Sequence, residues 1–353
     1  MSKVGSIEAE DRVLKKIFFN FYGFSVKLEI ESERVAELLK KDFSHFESKA
    51  PGDRCNLSIS AKVSEEIENK IPEGLPATKQ NTRAMTFDKG NIRYNYFYGQ
   101  AVSIINYRSN KMEVFTKNES FLHEILYLAI LSRETKFHDA KGLHKLHAFG
   151  VSKGDTAILG MMNMKGGKTT LFSYFLNESG YELLSDDTPL VNTKGEILPF
   201  PIRLGFELNS YTQDKLSEYR DKSYRFERVE YGPKDLINIL EFKNNISSPK
   251  KKVVLFQGIR VHRNGHPEIK RISKFKMLKY LLKNMVVGVG LPMVLEYYLE
   301  SSFKDKIINL KTLMLRAISA LFLLKNSQCY EVYLTKDPAK NFLGVKGLLD
   351  SYA

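Results

Sequence analysis

The sequence predicts an α/β protein: a β-rich α+β N-terminal domain, then an α/β core, then a helical C-terminal part. Three observations predict it. Residues 16–116 are dense in aromatic and β-branched residues broken by short turns, the signature of strands. Residues 143–187 instead read strand, strand, glycine-rich loop, helix, strand, the order of an α/β unit. Residues 274–326 carry apolar positions at helical spacing.

Taken in order, "KIFFNFYGFSVKLEI" (16–30), "NLSISAKV" (56–63), "AMTFDKGNIRYNYFYG" (84–99) and "AVSIINYRSNKMEVFT" (101–116) read as strands. Asp88-Lys89-Gly90 and Ser109-Asn110 supply hairpin turns. Residues 32–46 interrupt them as a helix, with Val35, Leu38, Leu39 and Phe43 on one face. The polar, proline-containing stretch 64–83 reads as a loop. "ESFLHEILYLAILSRE" (119–134) reads as an apolar helix capped by Glu119 or Ser120, and "TKFHDAKG" as the connector after it. The domain boundary is placed within 117–140, giving domains 1–135 and 136–353.

In the second part, 143–151 reads as one strand, 152–155 as a turn and 156–160 as a strand. Residues 168–179 form a helix stopped by Gly180, 181–187 a strand ending in two aspartates, and 189–201 a hairpin around Thr193-Lys194-Gly195. Residues 251–261 read as a strand and turn. Helices follow at 274–285, 292–303 and 305–326, then a strand at 330–335 and a short last helix.

Composition bounds the function. The chain has 353 residues, room for two domains. Cys55 and Cys329 stand far apart, which excludes a disulfide framework and a Cys-x-x-Cys metal site and fits a reducing, cytoplasmic setting. The N-terminus lacks the apolar run of a secretory signal. Residues 285–300 and 312–324 are apolar but interrupted or short, so no membrane span is expected. The net charge of +13 is compatible with nucleic acid, an anionic membrane surface or an acidic partner. Its densest run, Lys250-Lys251-Lys252, has no aromatic-basic motif beside it, which argues against nucleic acid.

The chemistry concentrates in "MNMKGGKTTL" (162–171). Its end matches a phosphate-binding loop, G-x-x-x-x-G-K-[ST], in which backbone N–H groups at a helix start surround a polyphosphate. Asn163, Met164, Lys165, Gly166 and Gly167 would form the cradle, with Lys168, Thr169 and Thr170 opening the helix. Lys168 would reach the outer phosphates and Thr169 would bind Mg²⁺. Met162 stands where the pattern has its first glycine, and Gly160 offers a place to absorb the change. A plain strand-to-helix turn is the alternative. Asp186 and Asp187 end the next strand, and parallel strands flanking a crossover helix end on one sheet edge. One carboxylate would then hold Mg²⁺ and the other deprotonate an attacking hydroxyl.

These three stretches, "LHAFGV" (146–151), "MNMKGGKTTL" and "LLSDD" (183–187), resemble the catalytic core of HPr kinase/phosphorylase and its relatives. The resemblance covers about 143–205. It implies a P-loop HPr-kinase/PEP-carboxykinase-like nucleotide-binding core and a kinase using ATP and Mg²⁺. It assigns Lys168 to the phosphates, Thr169 and Asp187 to the metal, Asp186 to the role of base and His147 to assisting the acidic pair. His144 is a second candidate. The missing loop glycine, and the lack of the family's later glycine- and arginine-rich segment, point to a divergent relative rather than a true HPr kinase. Its acceptor would be a hydroxyl of a peptide or protein serine or of a small molecule, and the N-terminal domain the place for recognising it. Some relatives are homo-oligomers. Arg203 and Arg260 are candidates for neutralising phosphate charge. The competing readings are a non-catalytic nucleotide sensor with a degenerate loop and a basic nucleic-acid-binding protein.

Overall fold

The computed structural model describes residues 14–50, 55–163, 166–176, 178–206, 216–228, 232–288 and 303–353. The expected helix at 292–303 lies outside them except for its last residue. The chain is mixed α/β with several sheets. It divides into two compact units: one of Met1–Lys40, Phe46–Tyr127 and Glu227–Tyr231, the other of Lys41–His45, Leu128–Phe226 and Gly232–Ala353. The main division falls inside a helix rather than in a linker.

The first unit holds a nine-stranded sheet. Its strands are β1 (Lys15–Phe21), β2 (Phe24–Ile30), β3 (Glu47–Ser48), β4 (Leu57–Val63), β5 (Ala77–Gln80), β6 (Met85–Lys89), β7 (Ile92–Tyr96), β8 (Ala101–Asn106) and β9 (Lys111–Thr116), in the order β3-β1-β2-β4-β9-β8-β7-β6-β5. The stretch read as 16–30 is a hairpin, turned by Tyr22 and Gly23 at φ 47° and 87°. Gly90 and Asn110 make the other tight turns with φ 61° and 52°. Helix α1 (Glu33–Asp42) starts where the Ser32 hydroxyl accepts from the Val35 N–H, and it buries Val35 and Leu39. The stretch 64–83 is not all loop. It contains β5, whose side chains are largely exposed, so hydrophobic alternation could not reveal it.

Helix α2 (Glu119–Ala140) is capped by Asn118, whose Oδ1 accepts from the Ser120 N–H at 2.7 Å, rather than by Glu119 or Ser120. It also runs through the polar "TKFHDA" expected as a connector. There Glu134, Thr135, His138 and Asp139 are buried and paired. Glu134 contacts His138 and Lys145, while Asp139 accepts from Arg316 at 2.6 Å and meets His144 at 2.7 Å. A helix end buried through ion pairs carries no apolar stripe for sequence periodicity to find.

The second unit is built on a six-stranded sheet of β11 (Phe149–Lys153), β12 (Thr156–Met161), β13 (Glu182–Ser185), β19 (Lys252–Arg260), β20 (Glu268–Arg271) and β21 (Ser327–Leu334), in the order β13-β11-β12-β19-β21-β20. Strands β12, β19 and β21 are parallel, whereas β11 is antiparallel to both β12 and β13. The C-terminal third carries helices and also supplies half of the central sheet: β19 and β21 fall on the expected strands, and β20 is an addition to them. Two small sheets flank it, β10 (Leu143–Lys145) with β14 (Leu190–Asn192) and β15 (Ile197–Leu198), and β16 (Leu204–Phe206) with β17 (Tyr224–Phe226) and β18 (Lys234–Ile237).

The sheet is covered on both faces. Phe149, Val151 and Ile158 pack on one side with Phe172 and Phe175 of α3 (Lys168–Phe175) and with the last helix, Pro338–Asp350. Ala157, Leu159 and Leu255 face the other side with Met277, Leu281, Ala320 and Leu323 of the helices Lys274–Leu281 and Phe303–Lys325. Such two-sided cover suits a largely parallel sheet.

Arg203 does not face a phosphate-binding edge. It is buried, and its Nη1 donates to both Asp42 carboxylate oxygens at 2.9 Å, while Tyr224 donates to the same carboxylate at 2.6 Å. Its guanidinium also lies 3.8 Å from the Phe226 ring centroid. Lys250, from the basic run, is likewise buried, donating to Gly154 O at 2.7 Å and pairing with Glu182 at 3.2 Å. Removing Arg203 with Arg203→Ala leaves Asp42 buried without its counter-ion. A loss of about 3–5 kcal/mol of stability follows, to be read from the urea unfolding midpoint.

Candidate active site

Strand β12 is buried along its whole length and ends at Met161. Beyond it the chain turns through residues 162–167 into α3. Gly167 takes φ 99°, the left-handed region where glycine is favoured. At Gly166 an added Cβ would meet Asn163 O at 2.7 Å, so this glycine is needed for the tight turn in which the Gly166 N–H donates to Asn163 O at 2.9 Å. Helix α3 has no side-chain N-cap, so its first N–H groups carry the partial positive charge of a helix start. Met164 and Lys165 lie outside the described residues.

Met162 lies outside the left-handed region and is 1% exposed. Its side chain packs into the core beside Phe149 and Phe256. Gly258 on β19 leaves the space: a Cβ there would come within 2.8 Å of Met162 Cγ. The methionine is thus a core residue at this position, pointing away from the cradle. Gly160 does not relax the loop. Its Cβ position is closed by the Phe149 and Phe256 rings, at 2.2 and 2.6 Å, so packing demands the glycine.

The predicted strand 143–151 is broken. Residues 143–145 pair with β14, residues 149–153 pair with β12 and β13, and His147 sits at the break. Its N–H donates to Asn284 O at 3.0 Å, and the Ala148 N–H donates to Asp187 O at 3.0 Å. His144 goes elsewhere, fully buried against Asp139 in the α2 network. Because β12 and β13 both run antiparallel to β11, their C-terminal ends share one sheet edge with the start of β11. That edge brings the loop, His147 and Asp186-Asp187 together.

Lys168 Nζ contacts His147 Nε2, lies 3.3 Å from Asp187 Oδ1 and donates to Met162 O at 3.3 Å. His147 Nε2 lies 3.2 Å from the same Asp187 oxygen. The imidazole nitrogen therefore faces an ammonium and a carboxylate at once, and its tautomer decides which one it serves. Ser185 Oγ shapes the acidic turn by accepting from the Thr188 N–H at 3.0 Å. Thr169 and Thr170 are half-buried in the first turn of α3.

The two aspartates differ. Burial alone would raise the Asp187 carboxyl, but the hydrogen bond from His147 and the charge of Lys168 hold it below its usual range. Asp186 is pushed from 3.8 to about 7, first by burial and then by the Asp187 charge, with Lys234 and Lys168 pulling it back only in part. The Asp187 side chain keeps 42% of its surface open, whereas those of His147 and Lys168 keep 9% and 11%.

Among the described residues no group of three or more His, Cys, Asp or Glu side chains is arranged to hold a metal ion. Mg²⁺ takes one or two protein oxygens and completes its shell with waters and substrate phosphates; Asp187 and Thr169 are the oxygen donors that could supply them.

Sequence reasoning missed three contributors. Lys283 donates to Asn163 Oδ1 at 3.0 Å, and its neighbour Asn284 supplies the carbonyl that holds His147. Both lie in a π-helical turn, Leu282–Val286, a geometry enriched at functional sites. Lys234, beside Gly205, lowers Asp186. None carries a local motif; only the fold brings them here. Arg260 ends β19 and is exposed.

Two outcomes follow from this geometry. Met162→Ala opens a core cavity and costs about 2–5 kcal/mol, read by thermal unfolding. A raised carboxyl pKa contributes stability that is complete in acid and is lost as pH rises through about 7. Asp186→Asn, neutral at every pH, should therefore stabilise the protein above pH 7 by up to about 4 kcal/mol and change little in acid, measured by urea titrations across pH. No family model matches the chain, and no curated protein matches it.

Proposed function

We propose that the protein is a Mg²⁺- and ATP-dependent phosphotransferase acting on a hydroxyl group, built on an HPr-kinase-like P-loop core. The observation that carries the reading is the meeting of Lys168, His147 and the Asp186-Asp187 pair at one sheet edge, beside an uncapped helix start.

Each residue has a role in this reading. The N–H groups from Gly167 to Thr170 and the Lys168 ammonium bind the polyphosphate. Asp187 and His147 hold Lys168 in place until the phosphates draw it forward. Mg²⁺, when bound near Thr169 and Asp187, neutralises charge on the phosphates. Asp186, with a pKa near neutral, is matched to a base that takes the proton of the acceptor hydroxyl. The hydroxyl oxygen then bonds to the γ-phosphorus as the bond to the β-phosphate oxygen breaks, leaving ADP and a phosphate ester. The acceptor is a peptide or protein serine or a small-molecule alcohol.

In the test, labelled ATP is incubated with a cell extract and the purified protein, and binding is followed by thermal shift. Wild type is expected to be stabilised by Mg²⁺-ATP and to label an acceptor. Lys168→Ala should lose the stabilisation. Asp186→Asn should keep binding and lose transfer by about 10²–10⁴-fold. ATP that binds and is never consumed would instead identify a nucleotide sensor. ATP affinity unchanged in Lys168→Ala would remove the phosphate-loop reading.

A further inference from the structure

The helix Phe303–Lys325 is apolar on two sides. One side packs inward through Ala320, Leu323 and Leu324. On the other, Ile307, Leu310, Met314, Ile318 and Leu321 recur three and four residues apart, a single stripe on a helix, and each keeps between 40% and 60% exposure. The segment 274–288 runs antiparallel beside this helix: Lys274 Nζ donates to Lys325 O at 2.8 Å and Arg316 Nη1 to Val286 O at 3.3 Å. It adds Phe275, 72% exposed, together with Leu282 and Val287. Exposed apolar side chains gathered on two neighbouring segments mark an interaction face.

The charges on these two segments are mostly positive. Residues 274–288 contain no Asp or Glu, and the helix 303–325 contains one, Asp305. Lys279, Lys311 and Lys325 lie along the same two segments, and Lys279 stands 5.5 Å over the Phe275 ring. None of these three is ion-paired to a described acidic residue. A second copy docked on this face would set lysine against lysine. An anionic bilayer satisfies both features, because apolar side chains enter the boundary below the headgroups while ammonium groups meet lipid phosphates.

We infer that this face docks the protein on the surface of an anionic lipid bilayer. The contact lies on the membrane and does not cross it, since no described helix is long and apolar enough to span. The inference is independent of the proposed phosphotransfer, and every substitution that tests it lies outside the loop, His147 and the aspartates.

The full chain is sedimented with phosphatidylcholine vesicles with and without phosphatidylglycerol. Wild type is expected to partition onto the phosphatidylglycerol vesicles alone, with binding weakened by salt. Leu310→Asp with Met314→Asp should lower that partition by at least about tenfold at an unchanged far-ultraviolet circular dichroism spectrum. Lys311→Glu with Lys325→Glu should lower it without touching the apolar stripe, and carries the test by itself if the first pair unfolds. Absence of partition onto either vesicle overturns the proposal. So does a concentration-dependent dimer in sedimentation velocity that Leu310→Asp abolishes, which would assign the face to a second copy.

Discussion

Strand β12 has no free face. All six of its residues are buried, and its neighbours are an antiparallel strand on one side and a parallel strand on the other. At Gly160 the rings of Phe149 and Phe256 close over the position a side chain would take. That clamp sets the registers of β11 and β19 against β12 and so fixes where β12 ends. The loop, the break at His147 and the acidic end of β13 all take their places from that end. A strand slipped by one residue would turn its side chains to the opposite face and carry the loop off the edge.

A second constraint acts from beneath. Arg316 reaches Asp139 at the end of α2 and also donates to Val286 O in the π turn. The same turn supplies Asn284 O to the His147 N–H and Lys283 to Asn163. His147 is thus oriented through a buried chain of ion pairs and carbonyls that begins outside the site. In the Asp139 part of that chain, burial disfavours the carboxylate, while His144 and Arg316 outweigh the penalty and keep it charged. A buried polar set of this kind specifies geometry because each member has few alternative partners.

Met162 departs from the phosphate-loop pattern at its first position, while the pattern's second glycine, Gly167, stays in place. Freedom of the backbone is supplied at Gly167, and tight closure at Gly166. The first position is left to packing, and Gly258 makes the volume for a methionine there. The substitution therefore changes the core under the loop while leaving the helix start open. Positive charge around the site is likewise distributed: Lys168 beside Asp187, Lys283 at the loop, Lys234 toward Asp186.

By itself the sequence determined the local chemistry. "GGKTT" before an apolar helix, the Asp186-Asp187 strand end and the hairpin turns at Gly90 and Asn110 are short-range patterns, set by backbone conformations that few residues tolerate. The α/β class was readable for the same reason. Residues whose partners lie far along the chain were not. The polar end of α2 looked like a connector because its burial depends on Lys145, His144 and Arg316. His144 and His147 looked like neighbours on one strand, but His144 lies in β10 and His147 at the break before β11. Arg203 looked like a phosphate ligand until Asp42 and Tyr224 enclosed it. Lys283 stands 120 residues from its partner Asn163, a pairing that no local periodicity encodes. Tertiary structure alone decided these, because burial and ion pairing depend on which distant segments the packed core brings together.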